Sequence, residues 1–222
     1  MTIYPFQTKR GCRSYLLVDE VSREAALIDP SEELGLEEYL AALQKYEAKL
    51  CYIIETHTHA DHISSAPALQ SAAGAKIVRH ALAPSSLKDI SVTGGEVLTL
   101  GSETLTILAT PGHTNESITV QTDTAVFTGD ALLIGGTGRT DFQLGDSEAL
   151  YASLHETLGK LPGDTLVYPA HDYQGRESST LGDEKRTNPR FALSHEDFVA
   201  AMNAHHPPKP ELFTEALEVN SR

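Results

Sequence analysis

Short apolar runs rich in β-branched residues recur between polar stretches through most of the chain. Residues 15–18, 25–28, 51–54, 77–78, 97–100, 104–108, 118–121, 125–128 and 165–168 are predicted strands. Helical spacing is interleaved with them. Leu36, Leu40 and Leu43 recur at i, i+4 and i+7, with Ser31 as the expected N-cap. Residues 64–73 form a second pattern, stopped by Gly74. Leu150, Leu154, Leu158 and Leu161 trace one stripe that ends at Pro162-Gly163. Ser194 and Asp197 form a capping pair that opens a last helix through Phe198 and Met202. The chain therefore belongs to the α/β class. Short strands and hairpin-like links such as Leu100-Gly101-Ser102-Glu103 favour a mixed sheet, or two packed sheets, over a purely parallel one. The Pro-rich stretch from Pro207 to Pro210 is expected to pack as an irregular arm.

Composition narrows the function. The 222 residues suffice for one large domain or two small ones, and the 40% hydrophobic content is ordinary for a globular protein. With 17 basic and 31 acidic side chains the net charge is −14, and no basic run appears, so nucleic acid is a poor partner. No apolar stretch approaches the ~18 residues of a membrane span, and Met1 to Arg10 lacks the apolar stretch of a secretory signal. Cys12 and Cys51 are too few for a disulfide scaffold and match no zinc module. They are expected to be core residues in a reduced, cytoplasmic chain.

The strongest chemical signal is Thr56-His57-Thr58-His59-Ala60-Asp61-His62, at the C-terminal end of a predicted strand and just before a helix. Strand ends are where α/β sheets build their sites. His57 and His59 share a face in extended chain, and Asp61 and His62 follow as the chain turns. Imidazole and carboxylate are ligands for zinc, iron or manganese. Three more strand ends continue the series: Pro111-Gly112-His113, Gly129-Asp130 and Ala170-His171-Asp172. Each is weak alone; in order behind the first cluster they form one pattern.

That ordered series resembles the metallo-β-lactamase superfamily from about Tyr15 to His171. The resemblance implies an αββα sandwich, two mixed sheets face to face with helices outside and a metal at one edge. Three further stretches bring in nearly the whole chain: Gly138-Arg139-Thr140-Asp141-Phe142-Gln143, Ala170-His171-Asp172-Tyr173, and the run from Glu184 to Arg190 with the Pro-rich tail. Their combination is similar to the persulfide dioxygenases, in a stand-alone form without a fused rhodanese domain. One unit spanning 1–222 is expected, with a helical or irregular arm from about residue 175.

The resemblance implies one iron(II) per chain, held by His57, His113 and Asp130, and oxidation of glutathione persulfide by O2 to sulfite and glutathione. His59, Asp61, His62 and His171 then orient ligands and water, or hold a second metal in the alternative reading. That alternative is a dinuclear hydrolase of glyoxalase II type, cleaving glutathione thioesters. Arg139 and Tyr173 lie where glyoxalase II holds glutathione; Arg139 is equally suited to a structural salt bridge with Asp141 or Asp172. A homodimer is a further implication of the resemblance. His80, His155, His195, His205 and His206 lack ligand spacing and are expected at the surface. Lys185, Arg186 and Arg190 are expected in a solvated loop, and Gly135 to Gly138 in a flexible rim over the metal.

Overall fold

The architecture follows from where alternate side chains of each strand go. In this computed structural model, which describes residues 1–222, a first six-stranded sheet runs β1 (Thr2–Gln7), β2 (Arg13–Val18), β3 (Glu24–Ile28), β4 (Lys49–Ile54), β5 (Lys76–His80), β6 (Ile90–Val92), in that order. The first two pairings are antiparallel and the remaining three parallel. A second six-stranded sheet comprises β7 (Val97–Leu100), β8 (Glu103–Ala109), β9 (Ile118–Gln121), β10 (Ala125–Gly129), β11 (Leu166–Pro169) and β12 (Ser179–Thr180). Only β10 and β11 pair in parallel there. The predicted hairpin is the β7–β8 turn, with Leu100 opposite Glu103.

Side-chain period 2 then divides the interior into three cores. Tyr15 and Leu17 of β2 meet Leu105, Ile107, Val120 and Phe127 between the sheets. The alternate residues Leu16 and Val18 face outward, under α1 (Leu36–Lys45) and α2 (Ala66–Ala73), with Tyr39, Leu43 and Leu69. Val126 and Val167 of the second sheet face Leu150, Leu154 and Leu158 on the far side. Those three leucines lie on one continuous helical run: α3 (Ser147–Ala152), a π turn over Ser153–Thr157 and a 3-10 turn over Leu158–Lys160. The layers are helix, sheet, sheet, helix, the mixed αββα sandwich that the resemblance implies.

Local chemistry corrects several boundaries. Ser31 caps a 3-10 turn over Glu32–Leu34, accepting from the Glu33 amide, and Gly35 precedes α1. The stretch read as a solvated loop contains α4 (Leu181–Thr187), capped by Thr180. Ser194 does cap α5 (His195–Asn203), accepting from the Asp197 amide. A further helix, α6 (Phe213–Asn220), follows the irregular Pro-rich arm. His80 is buried, not at the surface, and its Nδ1 accepts from the Leu82 amide. No helix is long and apolar enough to cross a membrane.

Candidate metal centre

Four strand ends open onto one edge of the sandwich. His57 follows β4, His113 follows β8, Asp130 follows β10 and His171 follows β11. Both sheets therefore contribute. One ligand-type atom from each of His57, His113 and Asp130 lies within 4.8 Å of the others, a group that could hold a metal. The close approach depends on Gly129, whose φ is +54° and where a Cβ would lie 2.5 Å from Thr56 Oγ1. Gly138 similarly leaves room for the His113 ring, whose Nδ1 would be 2.8 Å from a Cβ there.

Hydrogen bonds fix the tautomer of both imidazoles. His113 Nδ1 lies 2.7 Å from the Arg139 carbonyl oxygen, which can only accept, so Nδ1 carries the proton and Nε2 presents a lone pair. Thr56 Oγ1 gives its own proton to Asp29 Oδ2 at 2.7 Å, so it accepts from His57 Nδ1 at 3.0 Å. His57 Nε2 is thereby the free lone pair. Asp29 is buried, and its other oxygen takes the Thr56 amide at 2.7 Å. Burial, reinforced by the neighbouring His59 and His113, lowers the His57 pKa well below the usual imidazole range and keeps the ring neutral, as a ligand must be. Burial opposes ionisation of Asp130, but the His171 charge beside it prevails and lowers its pKa.

The remaining motif residues form a second layer. His171 reaches Asp130 through Nδ1 at 2.6 Å and Asp61 through Nε2 at 2.8 Å. Burial works against charge on this ring, yet the two flanking carboxylates raise its pKa well above the ordinary value. Asp61 Oδ2 also takes His62 Nδ1 at 3.1 Å and the Cys12 thiol at 3.0 Å. Cys12 is buried, as expected, but it borders this cluster; Cys12, Asp61 and His62 form a second group of metal-ligand type. His59 turns toward Asp29 and Glu55, with Nε2 at 3.1 Å from Asp29 Oδ1 but out of line for a hydrogen bond.

Above these groups opens a cavity of about 400 Å³, lined by His113, Asp130 and His171 at the base and by Arg139, Phe142, Tyr173, Pro207, Pro208 and Phe213 higher up. Arg139 forms the structural salt bridge, bidentate to Asp141 at 2.5 and 2.7 Å, while Asp172 pairs with Arg176. The third Arg139 contact, Nη1 to the Pro208 carbonyl at 2.9 Å, ties the arm to the cavity wall. Tyr173 is 76% exposed with its ring stacked 6.0 Å from His171. The Gly135–Gly138 rim is tethered: Glu184 of α4 accepts from the Gly135 amide, and Asn188 donates to the Gly136 carbonyl. Asn220 of α6 accepts from the Ser64 amide and donates to the carbonyls of His59 and His62, which fastens the histidine loop. Asp29, Cys12, Glu184 and Asn220 were not singled out from sequence as part of the site. Only the Asp29 position, a carboxylate at a strand end, carried any signal of its own.

The model of the metallo-β-lactamase superfamily matches residues 8–171. A mouse protein named persulfide dioxygenase ETHE1, mitochondrial, is 40% identical over 220 residues, 98% of this chain and 86% of that protein. The crystal structure of ETHE1 from Myxococcus xanthus superposes with a TM-score of 0.96 at 38% identity, covering 100% of this chain and 98% of that one. A hydroxyacylglutathione hydrolase from a Polaromonas strain is 36% identical over 197 residues, 86% of this chain and 69% of that protein. By motif order, by fold and by identity over nearly its whole length, the chain belongs to the metallo-β-lactamase superfamily and, within it, to the persulfide dioxygenase family.

Proposed function

We propose that this protein is a persulfide dioxygenase that uses one iron(II) per chain, held by His57, His113 and Asp130, to convert glutathione persulfide, O2 and water into glutathione and sulfite. The observation that carries the reading is a set of three donors, with both Nε2 lone pairs fixed by hydrogen bonds, two of which, His113 and Asp130, line a cavity of about 400 Å³. Two imidazoles and one carboxylate are the donor set of non-haem iron oxygenases. Iron bound there supplies redox chemistry for O2 and open coordination positions for the two reactants.

The chain's own groups do the rest. Asp29 and Thr56 orient His57, and the Arg139 carbonyl orients His113. His59 is drawn toward Asp29 and Glu55, which leaves the set at three. His171, with one ring nitrogen on each of Asp61 and Asp130, holds a proton at the cavity base, where a departing glutathione thiolate needs one. Phe142, Phe213 and the prolines of the arm exclude water above it. Tyr173, exposed and lining the cavity, supports a role in contact with substrate, and Arg139 shapes the wall. The two unpaired cysteines fit a reducing cytoplasm, and a homodimer is consistent with the family resemblance.

The second group, Cys12, Asp61 and His62, keeps the dinuclear hydrolase in view as the rival. One experiment separates the two: O2 consumption with glutathione persulfide, with iron and zinc assayed on the same sample. Uptake with about one iron per chain, the stoichiometry of a three-donor site, is the expected result. Thioester cleavage with two metals and no O2 uptake overturns it. His113→Ala is expected to lose both iron and uptake; full uptake with iron retained would remove His113 from the ligand set.

A further inference from the structure

Two cations rest against aromatic rings that line the cavity, Arg139 in its wall and Lys209 beside it, in different electrostatic states. Arg139 is spoken for: both oxygens of Asp141 face its guanidinium, the Pro208 carbonyl takes a third N–H, and its plane lies 4.2 Å above the Phe142 ring. Lys209, on the Pro-rich arm, has no carboxylate within salt-bridge distance. Its Nζ rests 4.5 Å from the centre of the Phe213 ring and 5.0 Å from that of Phe142, and both rings line the cavity. A cation over aromatic faces is held in place without being neutralised. Prolines on either side of it, at 208 and 210, restrict the backbone that carries it. On a chain of net charge −14, an anionic substrate needs such an uncompensated charge close to the cavity.

We infer that Lys209 is the group that receives a carboxylate of the thiol persulfide and selects carboxylate-bearing persulfides over uncharged ones, while Arg139 serves to pin the arm. The inference rests on the proposed activity. A carboxylate entering here gains an ammonium partner without displacing another anion. At Arg139 it would have to compete with Asp141.

The test compares the parent protein with Lys209→Met, which keeps the aliphatic packing on the two rings and removes the charge. With glutathione persulfide, KM is expected to rise about tenfold, the loss of one charge-assisted contact, with kcat and iron content unchanged. With the uncharged persulfide of 2-mercaptoethanol, KM is expected to be the same for both proteins. Lys209→Arg is expected to recover most of the loss. An unchanged KM for glutathione persulfide, or an equal rise for both persulfides, overturns the inference. Calorimetric binding of glutathione itself separates this failure from failure of the proposed activity. If neither protein consumes O2 but the parent binds glutathione more tightly than Lys209→Met, the activity falls and the Lys209 assignment stands. Equal binding, or none, overturns the assignment whatever the activity.

Discussion

At the scale of single residues, the ligand atoms were legible because they are compressed. His57, His59, Asp61 and His62 sit within six positions, and each later member is marked by the turn before it. What orients them was not legible, because the partners are remote in sequence and chemically ordinary. Asp29 reaches Thr56 across 27 residues, and Cys12 reaches Asp61 across 49. An aspartate at the end of β3 signals a turn just as readily. Its importance appears only when Thr56 is seen to pass its hydrogen bond to His57 Nδ1. A test of that relay is Thr56→Val, which keeps the shape and removes the hydroxyl. His57 Nδ1 then loses its acceptor, and the ring is free to present the wrong nitrogen. Iron affinity is expected to fall on the order of 10–100-fold, the usual effect of removing a partner that orients a metal ligand. Iron retained after dialysis against graded chelator measures it; retention equal to the parent would show that His57 is oriented by packing alone. The Arg139 salt bridge is visible in the same terms: a bidentate carboxylate from Asp141 and the Pro208 carbonyl take most of its donor capacity.

Among the elements, those with a repeated apolar stripe are legible in the sequence and those with few buried positions are not. The leucines of the α3 run bury three side chains in one core, and the residues of β2 and β10 divide between the cores on their two faces. By contrast α6 buries only Ala216 and Asn220, and α4 only Leu181 and Glu184. Their buried polar side chains act on distant backbone, so no hydrophobic period reveals them. The edge strand β1 contains Pro5, which argues against a central strand and is tolerated at an edge. Asn220 shows how much a short helix can carry. It is buried and satisfies the Ser64 amide and the carbonyls of His59 and His62. Asn220→Ala leaves those three backbone groups without a partner, and the expected cost is about 2–4 kcal/mol of folding stability. Urea denaturation at neutral pH measures this. If α6 is merely an appendage, the midpoint will not move. Reduced iron retention alongside the lowered midpoint is expected as well, since the same three bonds hold the loop that carries His57 and Asp61.

For the whole molecule, the αββα layering was implied by resemblance and not by periodicity. A continuous apolar run reveals that a strand has two buried faces without saying what covers each one. The layering has its own consequence for pH. Tyr15 lies between the sheets, its hydroxyl donating to the Pro169 carbonyl at 2.6 Å, and so joins the first sheet to the strand that precedes His171. Tyr39 lies under α1 on the other face of the first sheet, where its hydroxyl accepts from the Ser31 amide at 2.8 Å. Burial raises both phenol pKa values, that of Tyr39 to about 12. An unfolded chain ionises tyrosine near ~10. A folded-state pKa above the unfolded value means that the stabilisation is fully present below pH ~10 and disappears as pH rises toward the folded value. Tyr39 alone accounts for about 3 kcal/mol across that window, since each unit is ~1.4 kcal/mol, and Tyr15 acts in the same direction. Circular dichroism at increasing pH is therefore expected to show no loss up to about 10 and cooperative unfolding between there and about 12. Tyr39→Phe, which gives up the Ser31 contact at neutral pH but has nothing to ionise, should show a shallower alkaline decline. If the decline is as steep as in the parent, the buried Tyr39 phenol is not its cause.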